Sequence, residues 1–156
     1  MKVKEIMTTD VLTVKPTDNV LEVLKLLFAR RISGLPVVDD RGKLVGAVTE
    51  KNILFHLLPS YLGKVGRFVY EENPKSTKKK FAELASLSVE SLMFRTVVTT
   101  SEEVTLCEVA RVMITQDARR IPVLDDQNKR LVGIVSRCDV LKALAKEADL
   151  DIAGEC

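Results

Sequence analysis

Gly133-Ile134-Val135-Ser136-Arg137-Cys138-Asp139 restates the pattern of an earlier stretch, Gly46-Ala47-Val48-Thr49-Glu50-Lys51-Asn52. In each, a glycine interrupts an apolar run, a hydroxyl residue ends it, and Asp or Asn follows three positions later. The correspondence spreads outward until Lys2–Leu57 answers to Ser88–Leu144, offset by 86 residues and then by 87 after one inserted residue. Met7 matches Met93, Val11 matches Val97, Thr13 matches Thr99, and Pro36-Val37 matches Pro122-Val123. An internal repeat settles what the folding unit is before any element is assigned. Each copy is about 57 residues, a size that buries only ~60% of its unfolded surface and is marginal alone. One body of two mutually dependent halves is therefore expected. Its parts are repeat 1 (1–58), a linker (59–87), repeat 2 (88–147) and a frayed tail (148–156).

The order of elements is legible within each copy. Val11–Val14 is a short β-prone run stopped by Pro16. Asn19 with Glu22, and Thr105 with Glu108, have the spacing of an N-cap and its reciprocal partner. Apolar residues follow at Val20, Val23, Leu24, Leu27 and Phe28, and at Leu106, Val109, Ala110, Met113 and Ile114. That spacing makes one wide apolar helical face. Leu35–Asp39 and Lys43–Thr49 flank an Asp40-Arg41-Gly42 turn, which reads as a β-hairpin. Ile121–Asp125 and Arg130–Ser136 repeat it, and a helix follows each hairpin: Glu50–Leu58, and Arg137 to about Glu147. The expected class is α/β (α+β), two β-α-β-β-α repeats. In the linker, Pro74–Thr77 reads as an exposed loop and Phe81–Ala85 as a short helix.

Composition excludes several functions. The chain has 24 basic and 22 acidic side chains, net +2, so it carries no charge excess of the kind that nucleic-acid or acidic-membrane specialists use. Lys78-Lys79-Lys80 could seed a phosphate patch, but solvated surface is the commoner use of three lysines. No run reaches the ~18–20 apolar residues of a membrane span. Cys107, Cys138 and Cys156 show no metal or redox spacing, so a reduced cytoplasmic protein with no metal site is the default. Glycine-rich phosphate loops and the usual hydrolase and protease signatures are missing. The single histidine, His56, reads as a packing or helix-end residue. No catalytic residues are expected.

The opening stretches carry what chemistry there is. A mid-strand glycine marks close approach by another backbone or by a ligand. A hydroxyl at a helix start can hold a phosphate, and a carboxylate one turn later can accept hydrogen bonds from ribose hydroxyls. The same spacing also fits simple helix capping by Ser136 with Asp139 and by Thr49 with Asn52. Spacing alone leaves both readings open.

With Ile6-Met7 and Leu92-Met93 leading each copy, and with the Leu-Pro-Val-Val-Asp and Ile-Pro-Val-Leu-Asp strands, both repeats resemble the cystathionine-β-synthase (CBS) domain. The resemblance implies a tandem pair, the Bateman module, with its sheets packed about a pseudo-two-fold axis. It implies a regulatory role and an adenosine compound (AMP, ADP, ATP or S-adenosylmethionine) bound in clefts between repeats. Homodimerisation and a regulated protein partner also follow from it. In the first cleft Asp139 would hold the ribose and Ser136 a phosphate, with Arg137 or Cys138 nearby, and the adenine would face Thr8, Asp10, Leu12 and the Ile32-Ser33-Gly34-Leu35-Pro36 segment. In the second, Thr49 and Asn52 would take those roles, facing Val98 and Ala118-Arg119-Arg120-Ile121-Pro122. Asn52 departs from the family's Asp and brings no negative charge. The competing expectation is a ligand-free oligomerisation or adaptor module, motivated by the breadth of apolar residues on the helices. Nucleic-acid binding has scant aromatic support, at 4% aromatic residues.

Overall fold

The computed structural model describes residues 1–58 and 74–156, with side chains from Thr77 onward in the second stretch. The part of the expected linker from 59 to 73 lies outside the described residues. A 3-10 turn, Val3–Glu5, is followed by α1 (Val20–Arg30), β1 (Gly34–Val38), β2 (Leu44–Thr49), α2 (Glu50–Leu57) and α3 (Pro74–Leu84). Then come α4 (Val89–Leu92), β3 (Thr100–Ser101), α5 (Leu106–Thr115), β4 (Arg120–Leu124), β5 (Leu131–Ser136) and α6 (Arg137–Glu147). The mixed α+β class is as expected.

The chain forms two compact units that do not coincide with its sequence repeats. One contains Thr13–Asp39 and Val45–Arg95; the other contains Met1–Leu12, Asp40–Leu44 and Thr96–Cys156. Each repeat has thus surrendered its leading segment. In the first unit, Val89 and Met93, which lead repeat 2, are buried with Val20, Val23, Leu27, Val37, Val48 and Ile53 around the β1–β2 sheet. In the second, Val3, which leads repeat 1, is wholly buried with Leu106, Val109, Ile121, Val123 and Val135 around the β3–β4–β5 sheet. The hairpin tip also joins this second unit, where Leu131 N–H donates to the Gly42 carbonyl at 3.0 Å.

Several expectations need correction. The Val11–Val14 run makes only one parallel bridge, Val14 with Val37, and its counterpart β3 is two residues long. Phe28 and Ile114 close their apolar stripes by sequence but are 69% and 79% exposed. Both stand at the edge of a stripe whose buried line is Val20, Val23, Leu27 in α1 and Leu106, Val109, Met113 in α5. Thr105 and Glu108 form the full reciprocal cap, but Asn19 caps alone, because Glu22 pairs with Lys25 at 3.0 Å. Pro74–Thr77 is helical, opening α3, since a proline costs nothing in a helix's first turn, where its N–H has no intrahelical partner. Phe81–Ala85 is helical through Leu84, as read. The segment after α6 is not frayed, and the expectation of three reduced thiols fails, because Cys138 and Cys156 form a disulfide.

Candidate functional site

β5 runs into α6 with no intervening loop, and Ser136 is both the last strand residue and the helix N-cap (φ −109°, ψ 163°). Its N–H and hydroxyl donate to Asp139 Oδ2 at 2.7 and 2.6 Å, and its Oγ accepts the Asp139 N–H at 3.2 Å. β2 runs into α2 in the same way. There the Thr49 N–H and hydroxyl donate to Asn52 Oδ1 at 3.0 and 2.7 Å, and Thr49 Oγ1 accepts the Asn52 N–H at 3.3 Å. Both junctions are therefore capping boxes, so the capping interpretation holds at both.

Capping does not consume these side chains. Among the described residues Asp139 Oδ1 has no hydrogen-bond partner, and a carboxylate oxygen can only accept. At the other junction the cap takes the amide oxygen of Asn52, leaving the Nδ2 donor. The two junctions share geometry but offer a ligand opposite polarity.

The mid-strand glycines have a backbone explanation. A Cβ on Gly133 would come within 3.0 Å of the Thr8 carbonyl oxygen and 2.6 Å of Met7 Sδ; one on Gly46 would stand 2.7 Å from the Phe94 carbonyl oxygen. The exchanged leading segments cause this crowding. Thr8 and Ile134 trade N–H···O bonds of 2.9 Å, and Phe94 and Ala47 trade bonds of 3.1 and 3.0 Å. Phe94 is the Thr8 of the other unit, a residue the sequence reading passed over although the 86-residue offset points to it. It borders an open groove of about 560 Å³ whose lining includes Thr49, Asn52, Phe55 and His56. His56 is exposed near the end of α2, as its helix-end reading expected.

The structure gathers the remaining candidates by unit. Thr8, Asp10, Leu12, Val98, Ala118, Arg119, Arg120 and Pro122 share a unit with Ser136 and Asp139, whereas Ile32, Ser33, Gly34 and Pro36 share one with Thr49 and Asn52. The Arg119 carbonyl accepts the Arg137 N–H at 3.0 Å, and the Ser33 carbonyl accepts the Glu50 N–H at 2.9 Å. Arg120 lies directly across the antiparallel ladder from Ser136, with its side chain exposed. Pro36 and Pro122 are buried, and Asp10, Ser33 and Arg119 are exposed. The Arg137 guanidinium turns to the end of α5, donating to the carbonyls of Ala118 at 3.0 Å and Met113 at 3.4 Å and to Asp117 at 2.9 Å. That contact braces the start of α6 against the end of α5.

Two α+β units, each passing a strand directly into a hydroxyl-capped helix, define a tandem-repeat module. The chain belongs to the CBS domain family, whose profile matches residues 3–59 and 89–146. An uncharacterized protein of Methanocaldococcus jannaschii is 31% identical over 92% of this chain and 91% of its own length. Inosine-5'-monophosphate dehydrogenase of the same organism is 31% identical over 99% of this chain, which spans 27% of that protein. Among solved structures, CBSX2 of Arabidopsis thaliana in complex with AMP superposes with a TM-score of 0.70 at 27% identity, covering 94% of this chain and 98% of that one. The CBS domain pair of protein MJ0100, in complex with 5'-methylthioadenosine and S-adenosylmethionine, gives 0.64 at 26% identity, covering 94% and 98%. Among the described residues no helix is long and apolar enough to cross a membrane.

Proposed function

We propose that this chain is a regulatory module that binds an adenosine compound (AMP, ADP, ATP or S-adenosylmethionine) at its strand–helix junctions and has no catalysis of its own. The observation that carries this reading is the Asp139 carboxylate. One of its oxygens is fixed by Ser136 and the other is available to accept from ribose hydroxyls. Arg120, across the ladder from Ser136, adds a guanidinium suited to a phosphate. The complexes of CBSX2 with AMP and of the MJ0100 pair with adenosine derivatives support the ligand class. The adenine-facing roles of Ile32, Ser33, Gly34 and Pro36, and the part of Val98, Ala118, Arg119 and Pro122 in a second cleft, rest on the family resemblance alone.

Thermal unfolding with each of the four compounds tests the proposal. A ligand present at 100 times its dissociation constant stabilises the folded state by ~2.7 kcal/mol. No rise in melting temperature with any of the four at millimolar concentration would refute it.

Homodimerisation belongs to the same reading. Phe28 on α1 and Leu54 on α2 are exposed, and so are their repeat partners Ile114 on α5 and Leu141 on α6. Paired retention of apolar residues in solvent is what an interface would require. Sedimentation velocity should show a dimer that Phe28→Ser with Ile114→Ser weakens; a monomer at all concentrations would contradict this.

A further inference from the structure

After α6 the chain turns back along its own helix. Asp149 adopts a left-handed conformation (φ 57°), and Leu150 N–H donates to the Ala145 carbonyl at 2.9 Å. The Lys142 ammonium donates to the carbonyl of Gly154, whose φ of 120° suits only glycine. Cys156 then joins Cys138 in a disulfide, with the two Cα atoms 5.7 Å apart. The points of attachment on α6 run 145, 142, 138, so the segment retraces the helix to its first turn. That turn is the one capped by Ser136, and Cys138 immediately precedes Asp139.

From this we infer that Cys138–Cys156 is a thiol-controlled latch on the Asp139 site, an inference that rests on the nucleotide reading above. Closed, it holds Cys156, and beside it the exposed carboxylate of Glu155, against the helical turn that receives ribose and phosphate, with the exposed Asp151 carboxylate further along α6. Those negative charges oppose an anionic ligand. Opening needs a dithiol reductant. One of its thiolates attacks the disulfide to give a mixed disulfide, and its second thiol resolves it. Two electrons and two protons pass to the protein, giving Cys138–SH and Cys156–SH, and the reductant leaves as its own disulfide. In a reducing compartment a disulfide of this kind is commonly transient and redox-sensing. Ligand and disulfide then compete for one turn, so each weakens the other by the same factor.

The experiment titrates AMP into the full chain carrying Cys107→Ser, which removes the exposed free thiol. Three samples are compared: oxidised, reduced with dithiothreitol, and Cys156→Ser. The reduced and Cys156→Ser samples should bind alike, about tenfold or more tighter than the oxidised one. Equal affinity in the oxidised and reduced samples would overturn the latch and leave the nucleotide reading standing. Absence of binding in all three, with ADP, ATP and S-adenosylmethionine equally silent, would overturn the nucleotide reading, and the latch with it. Amide exchange gives a readout independent of ligand: residues 150–156 should be protected when oxidised and exchange freely when reduced. Identical exchange in the two states would overturn the latch whatever AMP does.

Discussion

Gly34 and Arg120 hold the same place in the two repeats, and their neighbours explain why they differ. A Cβ on Gly34 would stand 2.8 Å from the γ-methyl of Thr49. Arg120 faces Ser136, which has no γ-methyl, and so can carry a side chain. Gly34→Ala should therefore destabilise by about 1–3 kcal/mol, the usual cost of overpacking. Adding Thr49→Ser should recover most of that loss, because serine caps a helix as well as threonine does. Denaturant melts of the two single variants and the double variant check this; independent, additive effects would contradict it. At the other junction, Asp139→Asn keeps an oxygen for the Ser136 cap but turns its outward atom from acceptor to donor. Stability should change little while adenosine affinity falls by about 1–3 kcal/mol. Isothermal titration beside a thermal melt separates the two effects, and an unchanged affinity would leave Asp139 with only its capping role.

The helices and hairpins were legible because their signals are local. Spacing of apolar residues, Thr105 with Glu108, and the Asp40-Arg41-Gly42 turn all act within a few residues of themselves. The leading segments were not legible for a matching reason. Ile6-Met7 and Leu92-Met93 are interchangeable in character, so no pattern within either copy tells which unit each will enter. Gly46 and Gly133 were correctly read as close approaches, but only the exchanged segments reveal that backbone does the approaching. Apolar pattern alone assigns no cross-strand register, so Arg120 and Ser136, candidates for different clefts by resemblance, emerge as ladder neighbours only in the structure. One exchanged segment is held by charge. Lys2 and Lys4 each contact Glu103 at 2.5 Å, and their ammonium hydrogen bonds hold its carboxyl at about 2, below the ordinary 4.5. A depressed carboxylate contributes stability that is complete above the ordinary value and is lost as pH falls through the lowered one. The Lys2–Lys4 docking should accordingly persist at pH 4.5 and loosen towards pH 2, and high salt should weaken it, since all three groups are exposed. An NMR titration of the Glu103 side chain measures this directly, and a midpoint near 4.5 would contradict it.

At the scale of the molecule, exchange of leading segments makes the halves depend on each other. A fragment of residues 1–58 lacks Leu84, Val89 and Met93 from its unit's core, and a fragment of 59–156 lacks Val3, with Ile6 and Met7 packed beside it, from its own. Removing several buried side chains at once costs more than a domain of this size can spare. Neither fragment alone should show a cooperative melt by circular dichroism, and an equimolar mixture should recover helical signal; cooperative folding of either one alone would contradict the exchange. The same arrangement bears on function, because it lays Thr8 against β5 beside the Ser136–Asp139 cap. The most direct test of the account is calorimetric titration of AMP, ADP, ATP and S-adenosylmethionine into reduced wild-type protein and Asp139→Ala. At least one compound should bind the wild type, and its affinity should fall in the variant by about 1–3 kcal/mol. Equal affinity in the two proteins, or no binding by any compound, would contradict it.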